Sequence, residues 1–171
     1  MRTIRAIHIP VDEGSLIDIV ELPQGDYKAW QSYVGGTFDV ITMHEPESSL
    51  VVHDEGKLIG LPLNRRATLM LWTHNKPFRG RDVIMGDVLI LGSVDDEGET
   101  LAVSDQLVEL LTTYEEWRYE VKVIGEDGWH GNQVTYDNVW NAYNSALRKA
   151  EAWALVVDVR VVSCVVREPS V

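Results

Sequence analysis

The sequence predicts an α+β protein with a mixed, mainly antiparallel sheet, three to four helices, and a C-terminal strand–helix–strand unit. Short segments alternate apolar and polar residues as strands do, for example LIDIVEL at 16–22. Other segments repeat apolar residues at helical spacing, most clearly 136–154. Acidic residues precede glycine at breaks between these segments, which is typical of turns because glycine accepts positive φ. These turn segments are 12–14, 54–56, 95–98 and 126–128.

The first part of the chain is predicted to form strands around one helix. The helix covers 26–34, where aromatic residues recur at helical spacing, with Asp26 as its N-cap and Gly35-Gly36 at its end. A hairpin is expected around the acidic turn at 54–56. The predicted strands are 2–10, 16–22 and 37–42, with hairpin arms at 50–53 and 57–59.

The middle of the chain is predicted to alternate helices and strands around a basic loop. A short helix over 63–72 begins near Asn64, and the loop 73–81 follows it. A second helix is expected from Ser104, its N-cap, to about Trp117, because apolar residues form a stripe there. The strands predicted here are 82–92, in which Gly86 marks a bulge or bend, and 100–103.

The last part of the chain is predicted to be a separable unit. Thr135 would cap a helix over 136–154 whose apolar residues share one face. Strands are expected before and after it at 118–125 and 156–166, and this order allows them to pair in parallel through a right-handed crossover. The predicted domains are 1–115 and an extension, 116–171, packed on it.

The net charge of −12 bounds the classes of function that are open to this chain. An acidic surface opposes direct binding to nucleic acid. It leaves open a DNA mimic, whose carboxylates would imitate the spacing of phosphates. The acidic residues gather in turns rather than in rows along strands or helices, so a solvated acidic surface is the preferred interpretation.

Composition and hydropathy predict a cytoplasmic protein with no membrane partner. Hydrophobic residues make up 45% of the 171 residues, which is enough for a packed core. The longest nearly apolar stretch, 152–159, is far shorter than the roughly 20 residues that span a bilayer. The first ten residues alternate and lack the apolar run of a signal peptide. The single cysteine, Cys164, excludes an internal disulfide and is expected to be a buried, inert thiol.

The stretch from Lys57 to Arg81 reverses the charge of the chain. It contains six basic residues and no acidic ones, while all 27 acidic residues lie elsewhere. One interpretation is an ion-pair belt that neutralises carboxylates. Another is an anion site, in which a helix start, an amide and guanidinium groups bind phosphate or carboxylate. Nucleic-acid binding is a third, which the surrounding negative field opposes. The candidate anion-binding residues are Asn64, Arg65, Arg66, Lys76, Arg79 and Arg81.

The sequence contains no catalytic or metal-binding motif. Its five histidines are isolated from one another, and HExxH, CxxC, GxSxG, phosphate-binding loops and dinucleotide fingerprints are all missing. Neither enzyme activity nor a metal or cofactor is therefore expected. Trp129 and His130 lie in a glycine-flanked loop, where they would form either a partner-binding tip or an anchor for the loop.

Several of these segments together resemble an uncharacterised domain family of bacteriophages and actinobacteria. The resemblance covers about residues 1–113 and implies a phage or prophage setting and an accessory gene. It transfers no catalytic residue, since the family has no established function. The segments that carry it are Val34-Gly35-Gly36, the acidic-Gly-Lys turn at 54–57, Gly-Leu-Pro-Leu-Asn-Arg at 60–65, and 84–92.

Taken with this resemblance, the sequence predicts a non-enzymatic phage accessory protein that binds and modulates a host or phage macromolecule, in host takeover or anti-defence. One alternative is a protein that binds or sequesters a small anion or nucleotide through 57–81. Another is an acidic DNA-mimic inhibitor. A homodimer is also expected, because the valine-rich strand at 156–166 would need covering if its edge were unpaired.

Overall fold

The computed structural model describes residues 2–164 and confirms the α+β class. Within that range the chain divides into two compact units, with the division between Val108 and Glu109. The strands of the first unit are β1 (Thr3–Ile9), β2 (Asp18–Pro23), β3 (Phe38–Met43), β4 (Ser48–His53) and β5 (Val88–Leu91). Its helices are α1 (Tyr27–Val34) and α2 (Arg65–His74), with a 3-10 turn at Lys76–Phe78. The next helix, α3 (Asp105–Thr112), contains the division between the units. The second unit continues with β6 (Trp117–Val123), β7 (His130–Gly131), α4 (Val139–Ala152) and β8 (Val156–Ser163).

The first unit is built on an antiparallel sheet in the order β2-β1-β5-β4-β3. Helix α1 covers one face of it. Trp30 and Val34 are almost fully buried there, in a cluster that includes Val51 of β4 and Leu89 of β5. Asp26 caps α1 by accepting a hydrogen bond from the N–H of Ala29, and Gly35 ends the helix with φ of 88°. Both ends of α1 are therefore as predicted.

The opposite face of the same sheet is also buried. The residues Ile7, Ile90, Leu50 and Ile41 form one cross-strand row, and the first three are fully buried. Helix α2 is attached to this sheet at both of its ends, through Asn64 to β1 and through Asn75 to the carbonyl of Thr42 on β3. A sheet covered on both faces explains why β4 and β5 read as apolar runs rather than as alternating strands.

The second unit has a three-stranded sheet in the order β7-β6-β8, with α4 packed against β6 and β8. The parallel pairing that the strand–helix–strand order allowed does not form, because the central strand β6 and β8 pair in antiparallel fashion. The chain after β7 returns to the start of β6, where Trp117 and Tyr136 exchange backbone hydrogen bonds. Helix α4 then begins at that end and runs back, so that Val156 of β8 starts beside Val123, at the other end of β6.

Several predicted boundaries were wrong for local reasons. The arm expected at 57–59 is part of a turn segment, 54–60. The strand expected over 82–92 is reduced to β5, because Gly86 adopts a φ of 86° that interrupts an extended chain. The strand expected over 100–103 is reduced to an isolated bridge between Thr100 and Val94. The helix expected to run from Ser104 to about Trp117 ends at Thr112, and Trp117 is the first residue of β6.

At the C-terminal end of the described residues, Cys164 is free and half-buried. The last two residues of the predicted strand, Val165 and Val166, lie outside the described residues. No helix within 2–164 has the length and hydrophobicity that a membrane crossing requires.

Candidate binding groove

The side chain of Asn64 is fully buried, and its polar atoms form hydrogen bonds with backbone groups. Its amide oxygen accepts the N–H of Ala67 at 3.1 Å and so caps α2. Its amide nitrogen donates to the carbonyls of Ile9 at 2.9 Å and Gly86 at 3.0 Å. Asn64 therefore ties the start of α2 to β1 and to the bend before β5.

Arg66 is buried in a comparable way, at 4% exposure. Its guanidinium donates to the carbonyls of Pro10, Asp12 and Ser15 at distances of 2.7–2.9 Å, which fastens the β1–β2 turn to α2. Burial lowers the pKa of the Arg66 guanidinium from its ordinary value, although nearby carboxylates, first that of Glu13, act in the opposite direction. Two of the candidate anion-binding residues, Asn64 and Arg66, are therefore bonded to backbone groups and hold elements of the first unit together.

The other residues of the basic stretch are distributed over both ends of α2. Arg65 forms an ion pair with Glu13 at 3.1 Å at the start of the helix. Arg79 donates from Nε to the carbonyl of Trp72 at 2.8 Å, in the last turn of the helix. Trp72 follows Arg65 by seven positions along the helix, a rise of roughly 10 Å. Exposed Lys76 and Arg81 lie beyond that last turn.

Trp129, at the end of a loop, and His130, the first residue of β7, lie in the second unit. The ring of Trp129 is half-buried and stacks on the guanidinium of Arg160, whose Cζ is 4.3 Å from the ring centre. Arg160 in turn donates to Glu120 at 2.7 Å and 2.9 Å. His130 is exposed beside Glu126 at 3.3 Å. The geometry of Trp129 is that of a loop anchor, while partner binding by these two residues stays a prediction.

A groove of about 520 Å³ lies in the first unit, next to strand β3. Consecutive residues of β3 line it, from Asp39 to Ile41. Because neighbouring side chains of a strand point to opposite faces, three consecutive lining residues place the groove along the outer edge of β3. The remaining lining residues are Val52 to Leu58, Phe78, and Asp82 to Met85.

The outer edge of β3 exposes backbone groups toward this groove. The N–H of Asp54 donates to the carbonyl of Thr37, so Phe38 faces His53 as a non-hydrogen-bonded pair. The N–H and C=O groups of Phe38, Val40 and Thr42 therefore point away from β4. Asn75 donates to the Thr42 carbonyl at 2.7 Å, in agreement with this orientation. Within residues 2–164, Phe38 and Val40 have no backbone partner on that side.

The groove combines an apolar floor with an acidic rim. Ile41, Val52 and Ile84 are largely buried below it, whereas Leu58 stands at its border with 82% exposure. Four carboxylates and a single lysine line the groove, and that lysine, Lys57, is already paired with Asp82. In the part of the chain that the structure describes, the exposed carboxylates of Asp39 and Glu55 have no ion-pair or hydrogen-bond partner.

His53 holds the acidic turn in place at one end of the groove. Its Nδ1 accepts the N–H of Glu55 at 3.0 Å, which places the ring proton on Nε2. The ring packs directly on Gly36, where a Cβ would lie 2.6 Å from Nε2. Asp54 is fixed separately by the hydroxyl of Thr37 at 2.7 Å. The segment after β4 is thus positioned by side-chain contacts, and Glu55 projects from an anchored turn.

The sequence did not single out the groove residues, although one signal for them was present. Asp54-Glu55-Gly56 was interpreted as a hairpin turn and Leu58-Ile59 as part of a strand. An apolar pair inside a turn has no core to enter, and Leu58 and Ile59 are indeed 82% and 55% exposed. The position of Asp39 beside them depends on strand order and had no signal in the sequence.

A second cluster that the sequence did not predict surrounds His8. Its Nε2 lies 3.0 Å from Asp87 and its Nδ1 lies 3.4 Å from Asp18, while its ring contacts Tyr33 of α1. Asp87 also accepts the N–H of Val11 at 2.9 Å. The cluster joins β1, β2 and the segment before β5. No group of three or more His, Cys, Asp or Glu side chains within 2–164 is placed to hold a metal ion.

Comparison with known proteins identifies one family. A family model described as a domain of unknown function, DUF3846, matches residues 4–117. No curated protein and no solved structure matches the chain. The matched residues include β1 from Ile4 onward, all of β2 to β5, α1 and α2, and hence every residue that lines the groove. The resemblance to an uncharacterised domain family is therefore confirmed.

Proposed function

The chain belongs to the DUF3846 family, and we propose that it is a non-enzymatic accessory protein that binds and modulates a macromolecule of a phage or its host. We place it in the cytoplasm of a bacterium that carries a phage or prophage, in host takeover or anti-defence. The groove beside β3 is the observation that supports binding. It joins exposed apolar side chains, unpaired carboxylates and open backbone groups on one surface.

These features suit a protein partner better than a small molecule. Val40, Leu58 and Ile59 expose apolar surface beside the groove, with 48%, 82% and 55% of each residue accessible. Apolar residues bordered by polar ones are characteristic of protein–protein interfaces. A pocket for a small ligand would enclose most of the ligand's surface, whereas this groove is open along the edge of a strand.

The anion-binding and nucleic-acid alternatives have less support. Asn64 and Arg66, two of the candidate anion-binding residues, are hydrogen-bonded to six backbone groups. The groove itself carries an excess of carboxylates, which repels phosphates. A DNA mimic requires rows of acidic side chains, and the two unpaired carboxylates of the groove flank an apolar floor instead.

Affinity purification tests the proposed function. The tagged full chain is expressed in phage-infected and in uninfected bacteria, cross-linked in the cells, and purified at low and at physiological salt, with the tag alone as the control. We expect at least one phage or host macromolecule to be retained by the chain and not by the tag. Recovery of none in any condition contradicts the proposal.

A further inference from the structure

We propose that β3 binds an extended, basic segment of a partner protein, which adds to the sheet as a further strand and fills the groove with alternate side chains. This inference rests on the proposed function and specifies its partner. It depends on three features of the first unit: the open backbone groups of β3, the shape of the groove, and the charge around it.

The backbone of β3 defines where the added strand would pair. The N–H and C=O groups of Phe38 and Val40 point outward and are available, whereas Asn75 already occupies the carbonyl of Thr42. Beyond it, the N–H of His44 donates to the carbonyl of His74 at 2.8 Å. The available edge thus extends over residues 38–41, which suits a partner strand of about five residues. Main-chain hydrogen bonds of this type provide affinity with little dependence on sequence.

The groove defines which side chains the added strand would carry. Side chains of a strand alternate between faces, so every second residue would point into the groove above Ile41 and Val52, beside Phe78. That surface is apolar and accepts an aliphatic side chain. The intervening residues would lie on the opposite face, beside Val40, which is 48% exposed. The expected occupant is therefore an extended segment with aliphatic residues among the side chains that enter the groove.

Charge selects a basic partner rather than a second copy of this chain. Asp39 and Glu55 flank the groove without a partner of their own within the described residues, so lysine or arginine on the added strand would pair with them. Pairing of β3 with β3 of a second copy would bring the same carboxylates together, which destabilises adjacent strands. The chain's net charge of −12 adds to that repulsion and also opposes nucleic acid.

A displayed library of random ten-residue peptides, selected on the full chain, tests this inference. We expect the enriched peptides to combine basic and aliphatic residues at every second position, because Asp39 lies on the same face of β3 as Ile41 and therefore pairs with side chains that enter the groove. Their binding should weaken at least tenfold on the double variant Asp39→Lys/Glu55→Lys and should be unchanged on the matched variant Glu21→Lys/Glu97→Lys, which changes the net charge equally at exposed sites outside the groove. Enrichment of no peptides, of peptides without excess Lys and Arg, or of peptides insensitive to the first variant overturns the inference.

Amide exchange distinguishes strand addition from other ways of filling the groove. The strongest selected peptide should slow exchange of the outward N–H groups of Phe38 and Val40 at least tenfold, while those of β2, at the opposite end of the sheet, keep their rates. The same peptide with alternate amides N-methylated should lose this protection and its binding. Binding without protection of Phe38 and Val40 overturns strand addition, and this test requires no variant of the protein.

The two proposals fail in different ways. If the affinity purification recovers a partner that the Asp39→Lys/Glu55→Lys variant retains equally, the proposed function is supported and strand addition at β3 is contradicted. If the selected peptides behave as expected but no macromolecule is recovered from cells, β3 binds basic strands and the proposed function falls.

Discussion

At the scale of single residues, neighbouring polar side chains in the basic stretch have opposite surroundings. Asn64 and Arg66 are buried and bonded to the backbone, whereas Arg65, between them, is about half exposed and forms an ion pair with Glu13. A buried polar group that loses its partners costs far more than a surface ion pair contributes. Asn64 and Arg65 should therefore respond differently to the same substitution.

We expect Asn64→Ala to lower the free energy of unfolding by about 2–4 kcal/mol, because it removes the cap of α2 and leaves the carbonyls of Ile9 and Gly86 without their donor. Arg65→Ala is the matched control and should cost less than about 1 kcal/mol. Urea denaturation measures both. Equal midpoints for the two variants would show that the buried amide contributes nothing beyond a surface ion pair.

At the scale of elements, α4 shows how an amphipathic helix packs the second unit. Ala142, Tyr143 and Ala146 are fully buried on the face toward β6 and β8. Burial raises the pKa of the Tyr143 phenol far above its ordinary value of about 10. The folded chain therefore keeps this proton at alkaline pH, where the unfolded chain releases it.

This proton links stability to pH. The contribution of Tyr143 is complete below pH 10 and is lost as pH rises above the pKa of the unfolded chain, at about 1.4 kcal/mol per pH unit. Tyr143→Phe should therefore make the decline in unfolding free energy shallower between pH 10 and 12, whatever its effect at pH 7. Burial also raises the pKa of Tyr119, so part of the decline should remain. Identical slopes for the two proteins, measured by urea denaturation, would contradict this account.

The direction of β8 is another outcome at the scale of elements. The order and approximate positions of β6, α4 and β8 were predicted, although α4 is capped by Asn138 rather than by Thr135. The two strands nevertheless pair in antiparallel fashion. The spacing of apolar residues indicates which face of an element is buried. It does not indicate at which end of β6 the next strand begins, and so it does not determine whether the two strands run parallel or antiparallel. The backbone hydrogen bonds between Trp117 and Tyr136, which lie 19 positions apart in the sequence, bring the chain back to the start of β6 before α4 begins.

At the scale of the whole molecule, the charge of −12 limits how two copies can meet. Acidic surfaces repel one another, so a homodimer would need an interface of mainly apolar residues. Strand β8 is rich in valine and lies at one end of its sheet, next to β6. We retain the expectation of a homodimer through this strand.

Light scattering tests the expectation of a homodimer. The mass should correspond to two chains at micromolar concentration and should change little between low and physiological salt, because apolar contacts are not screened. A single-chain mass at both salt concentrations would contradict dimerisation. A dimer that the Asp39→Lys/Glu55→Lys variant strengthens would instead point to pairing through β3.

The sequence by itself determined the α+β class, the positions of most helices and strands, the acidic turns and the resemblance to an uncharacterised domain family. These depend on local information: the spacing of apolar residues, caps such as Asp26 and Asn64, and glycine at positive φ. The same local information placed Asn64 at the start of a helix but did not indicate whether its amide faced a ligand or the backbone of β1.

Only the tertiary structure decided the order of the strands and, with it, the location of the groove. Asp39 and Glu55 border one surface because β3 is the end strand and the turn after β4 folds back beside it. Adjacency of this kind results from pairing between segments that are distant in sequence, and it decides which charges remain unpaired. Arg65, Arg66 and Arg79 are bonded to Glu13 or to backbone carbonyls. The carboxylates of Asp39 and Glu55 are instead left exposed beside an open strand edge.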